Sequence, residues 1–195
     1  MVNKNTRRIS VANRRKTKKK RSCAFAPACP NVPALKNCIN LYYPVLNGYD
    51  VISYHTKKAY EMPDKGSRKY SCKHNKYKYY FKSKKNKNIF LKDPSKYVPQ
   101  YGGFCAWGVV AEFAPKFPWS GNCLGPSIAL NNWLIYKNKL YLFLNDAVRK
   151  LFKNDIDKNI KVADKRFKRW FKNKKISSMN TTCIFDDYTK LIYKQ

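Results

Sequence analysis

Alternating aromatic and polar positions predict one strand in the first half of the chain. Over residues 76–81 the odd positions hold tyrosine, tyrosine and phenylalanine, and the even positions hold lysine, lysine and tyrosine. A period of two is typical of a half-buried strand. Ser83 follows this run and is a suitable N-cap for a helix that directs Ile89 and Phe90 inward. The pattern therefore predicts a strand that is followed at once by a helix.

Two further helix starts are predicted from capping residues. Asp93 and Pro94 predict a short helical turn, with the carboxylate as the cap and proline at the first helical position. Asn145 predicts the start of a longer helix. Its inner face is expected to consist of three apolar side chains, Val148, Leu151 and Phe152.

A hairpin and a long helix complete the pattern. Apolar residues recur over 133–144, and Lys137-Asn138 supply the turn between two strands. The last helix carries apolar residues at spacings of three and four, namely Ile160, Ala163, Phe167, Trp170 and Phe171. Its opposite face is basic and consists of Lys161, Lys165, Arg166, Lys168, Arg169 and Lys172. That face is either an ordinary solvated face or a surface for phosphate.

The chain divides into four parts on these patterns. Residues 1–22 are a basic arm, and residues 23–44, with four prolines and three cysteines, are an irregular linker. Residues 45–171 hold the patterned elements and form the folded domain, and residues 172–195 are a C-terminal tail. The expected fold class is α+β, a small antiparallel sheet with packed helices, preceded by a disordered arm.

Composition narrows the class of protein. The chain has 42 lysines and arginines against 11 acidic residues, a net charge of +31, which excludes an average metabolic enzyme. Disordered basic proteins usually have few aromatic residues, whereas here 15% of residues are aromatic and 44% are hydrophobic. We therefore expect a folded, aromatic-rich domain in a strongly cationic chain.

The positive charge lies in three segments. Ten basic residues fall between Lys4 and Arg21, thirteen between Lys57 and Lys92, and twelve between Arg149 and Lys175. Residues 93–148 are nearly neutral, with four basic and three acidic residues, and are expected to form the core.

The arm is dense enough in like charge to repel itself, so it should be disordered when free. Such an arm suits an anionic polymer, because each phosphate contact releases a condensed counterion. A targeting signal and a solubility tail are the alternatives. The residues expected to contact phosphate without reading sequence are Arg7, Arg8, Arg14, Arg15, Lys16, Lys18, Lys19, Lys20 and Arg21, with Lys165, Arg166, Lys168 and Arg169 extending the track.

Seven cysteines are present, and none forms a C-x-x-C pair. An odd number in a chain without a secretory signal favours free thiols in a reducing compartment. The alternatives are a disulfide, or a metal site with a distant ligand, within the cluster of Cys23, Cys29 and Cys38. His55 and Cys105 form a further candidate pair, as metal ligands or as a thiol–imidazole couple. A buried, inert Cys105 is the favoured interpretation.

Catalytic motifs are missing from the sequence. The chain has two histidines, and it has no phosphate-binding glycine loop, nucleophile elbow or H-E-x-x-H motif. The sparse acidic residues do not suggest an acid–base pair. We therefore expect no enzymatic activity, no catalytic residues and no cofactor.

Hydropathy also bears on location. No apolar run approaches the roughly 18 residues that a membrane helix needs, and no apolar segment follows the N-terminal charges as in a secretory signal. We expect no membrane insertion and an intracellular setting, which includes a virion or another nucleoprotein particle.

The order of several blocks resembles the stand-alone YHS-domain proteins over about residues 45–171. The resemblance implies a small α+β domain. It is carried by Asn47–Tyr54, Tyr79–Ser83, Phe90, Asp93–Tyr97, Pro99–Val109, Lys139–Asn145, Asp155 and the segment from Ala163-Asp164 to Trp170.

Metal binding by related short domains does not transfer with this resemblance. Their two cysteines correspond here to Lys82 and to Lys85 or Asn86, so those ligands are missing. Cys105 matches the cysteine that the stand-alone proteins carry after their double glycine.

The leading hypothesis is a non-enzymatic basic protein that binds nucleic acid or another polyanion. A metal- or redox-binding module that uses Cys105 and His55 is one alternative. A structural subunit that binds other protein subunits of a larger assembly is the other.

Overall fold

Residues 43–111 and 128–170 are described by a computed structural model, and their fold is α+β. The arm 1–22, most of the linker 23–44 and the tail 172–195 lie outside these residues, as do the nine arm positions expected to bind phosphate and Cys23, Cys29 and Cys38. The regular elements are β1 (Ser67–His74), β2 (Tyr77–Phe81), α1 (Lys84–Lys92), α2 (Pro94–Tyr97), α3 (Ala106–Val110), β3 (Ala129–Tyr136), β4 (Lys139–Phe143), α4 (Asp146–Asn154) and α5 (Ile156–Trp170).

The strands form two separate antiparallel hairpins, β1–β2 and β3–β4. The predicted α+β class is confirmed, but within residues 43–111 and 128–170 the expected single small sheet is realised as two two-stranded sheets. Each hairpin closes on two residues with positive φ, 48° and 73° at Asn75 and Lys76, and 47° and 60° at Lys137 and Asn138. Paired positive φ values match the twist of antiparallel strands in a tight hairpin.

The first hairpin and α1 follow the predicted pattern. Tyr77, Tyr79 and Phe81 are buried on one face of β2. Ser83 caps α1 by accepting a hydrogen bond from the backbone N–H of Asn86 at 3.1 Å. Phe90 is fully buried, and its ring centroid lies 4.7 Å from that of Tyr79 and 5.2 Å from that of Phe81. Helix α1 therefore covers the apolar face of β2.

Capping was predicted correctly at Asn145 and incorrectly at Asp93. The Asn145 side chain accepts a hydrogen bond from the backbone N–H of Val148 at 3.1 Å. Pro94 does begin α2, but the Asp93 carboxylate makes no capping bond to the backbone. Instead it accepts a hydrogen bond from the Ser95 hydroxyl at 2.6 Å, since that donor competes with the backbone N–H groups.

The inner face of α4 also differs from the prediction at one position. Val148 and Phe152 are buried, but Leu151 is 41% exposed. Arg149 is buried in its place, because its guanidinium donates to the carbonyl of Trp133 at 3.3 Å and to the carboxylate of Asp146 at 2.8 Å. The buried face of α4 therefore includes the hydrogen-bonded Arg149, whereas Leu151 faces solvent.

Both hairpins contribute side chains to one hydrophobic core, which also includes α3. Leu140, Leu142 and Phe143 of β4 are fully buried together with Ala106 and Val109 of α3. Helix α5 packs along α3 through its buried Ala163. The predicted inward stripe of α5 is confirmed at Ala163, with Ile160 and Phe167 half-buried; the Trp170 side chain and Phe171 lie outside the described residues.

Candidate functional site

Residues 65–92 form one cationic unit, which consists of β1, β2 and α1 packed against one another. This unit contains eleven basic residues and no acidic residue. Nine of the eleven side chains are exposed: Lys65, Arg68, Lys69, Lys73, Lys76, Lys82, Lys84, Lys85 and Lys92. The unit is therefore folded and carries exposed charge of one sign, and the potential of these charges adds up over neighbouring elements.

The acidic residues that flank the cationic unit are already engaged. Asp64 forms ion pairs with Lys57 at 3.0 Å and with Lys82 at 3.1 Å. Partial burial favours a higher pKa for Asp64, but the hydrogen bonds from both lysines outweigh burial and hold that pKa below its usual value. Asp93, at the other boundary, accepts the hydroxyl of Ser95. The unit itself supplies no carboxylate to balance its other lysines.

A buried aspartate outside the unit holds the unit in place. Asp50 is 0% exposed. Its Oδ2 accepts hydrogen bonds from the backbone N–H of Lys82 at 2.8 Å and from Nδ2 of Asn86 at 2.7 Å. Its Oδ1 accepts one from the backbone N–H of Ile52 at 2.9 Å. One carboxylate thus joins the end of β2 and the start of α1 to the segment before β1.

The basic residues predicted on α5 separate into two groups. Lys165, Lys168 and Arg169 are exposed. The Arg166 guanidinium is half-buried and donates to the backbone carbonyls of Val109 and Val110 at the end of α3. Arg166 therefore stabilises the α3–α5 contact, and the other three positions are the ones that face outward.

His55 and Cys105 differ in burial and in the groups that they contact. Cys105 is 2% exposed, and burial raises the pKa of its thiol even though backbone hydrogen bonds oppose this. The thiol is therefore protonated at neutral pH, which is the opposite of what a nucleophile needs. The His55 ring lies edge-on to Tyr97, with ring centroids 4.8 Å apart. Within the described residues, no hydrogen bond connects the side chains of His55 and Cys105.

Metal ligation gains no support from these residues. Across 43–111 and 128–170, no three histidine, cysteine, aspartate or glutamate side chains group closely enough to hold a metal ion. The alternative hypothesis of a metal or redox module on His55 and Cys105 stays a hypothesis, and the cluster of Cys23, Cys29 and Cys38 lies outside the described residues.

Protein stability should depend on pH through His55. Burial, with a smaller effect from Lys96, lowers the pKa of His55 from 6.5 to about 4, and its Nε2 has no hydrogen-bond partner. The folded state therefore prefers neutral imidazole. The contribution of His55 to the free energy of unfolding is fully present above pH 6.5. It is lost as pH falls toward about 4, because the unfolded chain takes up the proton first. At about 1.4 kcal/mol per pKa unit the full shift would correspond to about 3 kcal/mol, and solvent screening of the partly exposed ring reduces the expected loss to about 2 kcal/mol.

Urea unfolding at several pH values, with His55→Phe as the comparison, isolates this contribution. The variant removes the titrating group and should lose about 2 kcal/mol less than the wild type on acidification. Equal losses in the two proteins would contradict the assignment to His55.

None of the described helices combines the length and apolar character that a membrane span requires.

Sequence reasoning placed the phosphate contacts on the arm and on α5, and it assigned none to residues 65–92. Two signals for this unit were available in the sequence. One was the basic segment 57–92, and the other was the complete lack of acidic residues from 65 to 92. What the sequence pattern could not show is that these residues form three elements packed against one another.

Comparison with protein-family models, with curated proteins and with solved structures gives no match to this chain.

Proposed function

We propose that the protein is a non-enzymatic nucleic-acid-binding protein that contacts phosphates without reading sequence. The observation that carries the proposal is the cationic unit, with eleven basic residues, no acidic residue and nine exposed cationic side chains on packed elements. Phosphate contacts by lysine and arginine provide sequence-independent affinity through counterion release.

The basic arm and the outer face of α5 extend this proposed interface. The arm brings ten further basic residues, and Lys165, Lys168 and Arg169 are exposed on α5. A nucleoprotein particle, a virion included, is the proposed setting, because a chain of net charge +31 can neutralise packaged phosphate. Protein subunits of the same assembly are the second class of partner proposed.

The same proposal includes a YHS-like domain over about residues 45–171. In support, the resembling blocks coincide with structural boundaries. Pro99–Val109 covers a left-handed turn, with φ values of 64° and 87° at Gly102 and Gly103, and most of α3. Lys139–Asn145 covers β4 and the cap of α4. The family's scaffold would then present the cationic unit, whereas the cysteines of its metal-handling relatives are replaced.

Charge removal on the unit should weaken binding strongly. The variant Lys73→Gln/Lys84→Gln/Lys85→Gln changes three exposed side chains. Each phosphate contact contributes about 0.9 to the slope of log affinity against log salt, so the slope should fall by about 2.7. Affinity for a mixed-sequence duplex should fall by roughly two orders of magnitude near 0.1 M salt. Fluorescence anisotropy over a salt titration measures both quantities.

A matched variant controls for net charge. Lys139→Gln/Lys153→Gln/Lys158→Gln removes three exposed lysines from β4, α4 and α5, and it should change affinity by less than about threefold. Equal effects of the two variants would show that only net charge matters. Weak, salt-insensitive binding by the wild-type chain would overturn the proposed function itself.

A further inference from the structure

The cationic unit presents lysines without open aromatic rings. Its phenylalanines and two of its tyrosines are buried, and its remaining aromatic side chains are half-buried. The ammonium of Lys69 lies 5.5 Å from the centroid of the Tyr70 ring. The Tyr80 ring closes against Gly48, where an added Cβ would lie 2.8 Å from Cδ2 of that ring. The unit therefore has no exposed aromatic side chain on which an unstacked base could lie.

The arm has the same character in its sequence. Residues 1–22 contain ten basic residues and no phenylalanine, tyrosine or tryptophan. Proteins that bind single strands combine a basic groove with aromatic rings that stack on successive bases. The arm and the cationic unit both have the charge and lack this stacking element.

The β1–β2 hairpin places two lysines directly opposite each other. Lys73 pairs with Lys78 in the strand register, and Ser71 pairs with Tyr80 on the same face. This outer face is the reverse of the face that carries Tyr79 against α1. An anion that lies at this face would be attracted by the positive charge of this register pair. Lys76, in the adjoining turn, adds a third cation.

We propose that the ligand is double-stranded nucleic acid and that the outer face of the β1–β2 hairpin contacts its phosphates; this inference rests on the proposed function. A duplex carries a higher charge density than a single strand, and each contact contributes about 0.9 to its salt slope against about 0.7 for a single strand. Because neither the unit nor the arm offers stacking to offset that difference, the duplex is the better ligand for these two segments.

Competition between two probes tests the ligand. A labelled duplex is displaced from the full chain by unlabelled duplex or by an unlabelled single strand of the same length and low self-structure. For about five phosphate contacts, the slope difference predicts roughly tenfold tighter binding of the duplex near 0.1 M salt.

Two variants with equal charge changes test the hairpin face. Lys73→Gln/Lys76→Gln should weaken duplex binding by about tenfold or more, whereas Lys139→Gln/Lys153→Gln should leave it within about threefold. Lys73 and Lys76 are both exposed, so the first variant should melt close to the temperature of the wild type. Loss of binding can therefore be separated from loss of folding.

Each outcome has a distinct meaning. Equal or tighter binding of the single strand would overturn this inference and leave the proposed function intact. A duplex preference that does not respond to Lys73→Gln/Lys76→Gln would overturn the assignment to the hairpin face. Failure of both probes to bind at moderate salt would overturn the proposed function.

Discussion

Replacing Asp50 with alanine is expected to lower the free energy of unfolding by about 4 kcal/mol. The carboxylate is fully buried and accepts three hydrogen bonds, from the backbone N–H groups of Ile52 and Lys82 and from Nδ2 of Asn86. Alanine would leave these three donors without an acceptor in a place that excludes water. An unsatisfied buried donor costs about 1–3 kcal/mol, and hydrogen bonds to a charged acceptor are at the upper end. Urea unfolding followed by circular dichroism measures the loss.

Two further substitutions sharpen the test of Asp50. Asp50→Asn keeps the shape and one acceptor oxygen but turns an NH2 group toward a donor, so it should fall between wild type and Asp50→Ala. Asp93→Asn, which alters an exposed carboxylate that is bonded to the nearby Ser95 hydroxyl, should change stability by less than about 0.5 kcal/mol. A loss below about 1 kcal/mol for Asp50→Ala would show that the carboxylate does not hold the cationic unit to the domain.

Gly66→Ala is expected to be the second most damaging substitution, with a loss of about 3 kcal/mol. A Cβ at this position would lie 2.5 Å from the carbonyl carbon of Tyr80, 2.6 Å from its oxygen and 2.7 Å from the carbonyl oxygen of Gly48. All three atoms belong to the backbone, so no side-chain rotation can relieve the overlap. The strand β2 or the turn at Gly48 would have to move. The midpoint of urea unfolding, at constant slope, reports the loss.

The neighbouring residue provides the control for Gly66. Ser67 is exposed at the start of β1, and Ser67→Ala should cost less than about 0.5 kcal/mol. A Gly66→Ala protein as stable as Ser67→Ala would mean that the close approach of residue 66 to β2 is not present in solution.

The local elements were predictable from local patterns. The strand β2 is visible as alternation over residues 77–81, and Ser83 and Asn145 cap α1 and α4 as their residue types suggest. The turn at Lys137-Asn138 also lies where the apolar pattern breaks. Each of these features depends on residues no more than about four positions apart, the range over which caps and periodicity act.

The incorrect predictions involve competition that a local pattern does not contain. The Asp93 carboxylate accepts a hydrogen bond from the Ser95 hydroxyl and does not cap α2. Leu151 is displaced from the inner face of α4 because the buried Arg149 binds the carbonyl of Trp133, sixteen residues away. A period of 3.6 identifies a helix but does not state which polar side chain a neighbouring element will satisfy.

The candidate site was predictable in its charge and not in its location. The acid-free run from 65 to 92 is plain in the sequence, but only the contacts among β1, β2 and α1 bring its lysines onto one packed unit. Arg166 is the opposite case, because the helical pattern predicts it to contact phosphate and the fold gives it another role. In the fold its guanidinium binds the carbonyls of Val109 and Val110.

The sequence by itself determined the excess of positive charge, the α+β class and most of the local elements, because composition and short-range periodicity carry that information. Only the tertiary structure decided the roles of Asp50, Gly66 and Arg166. The donors to the Asp50 carboxylate in β2 and α1 are 32 and 36 residues distant, and Arg166 binds carbonyls 56 and 57 residues away. Gly66 has no positive φ that would mark it as a required glycine. Glycine is required at position 66 because the backbone of β2 lies where a Cβ would be. Such close packing is a property of the folded chain and not of the local sequence.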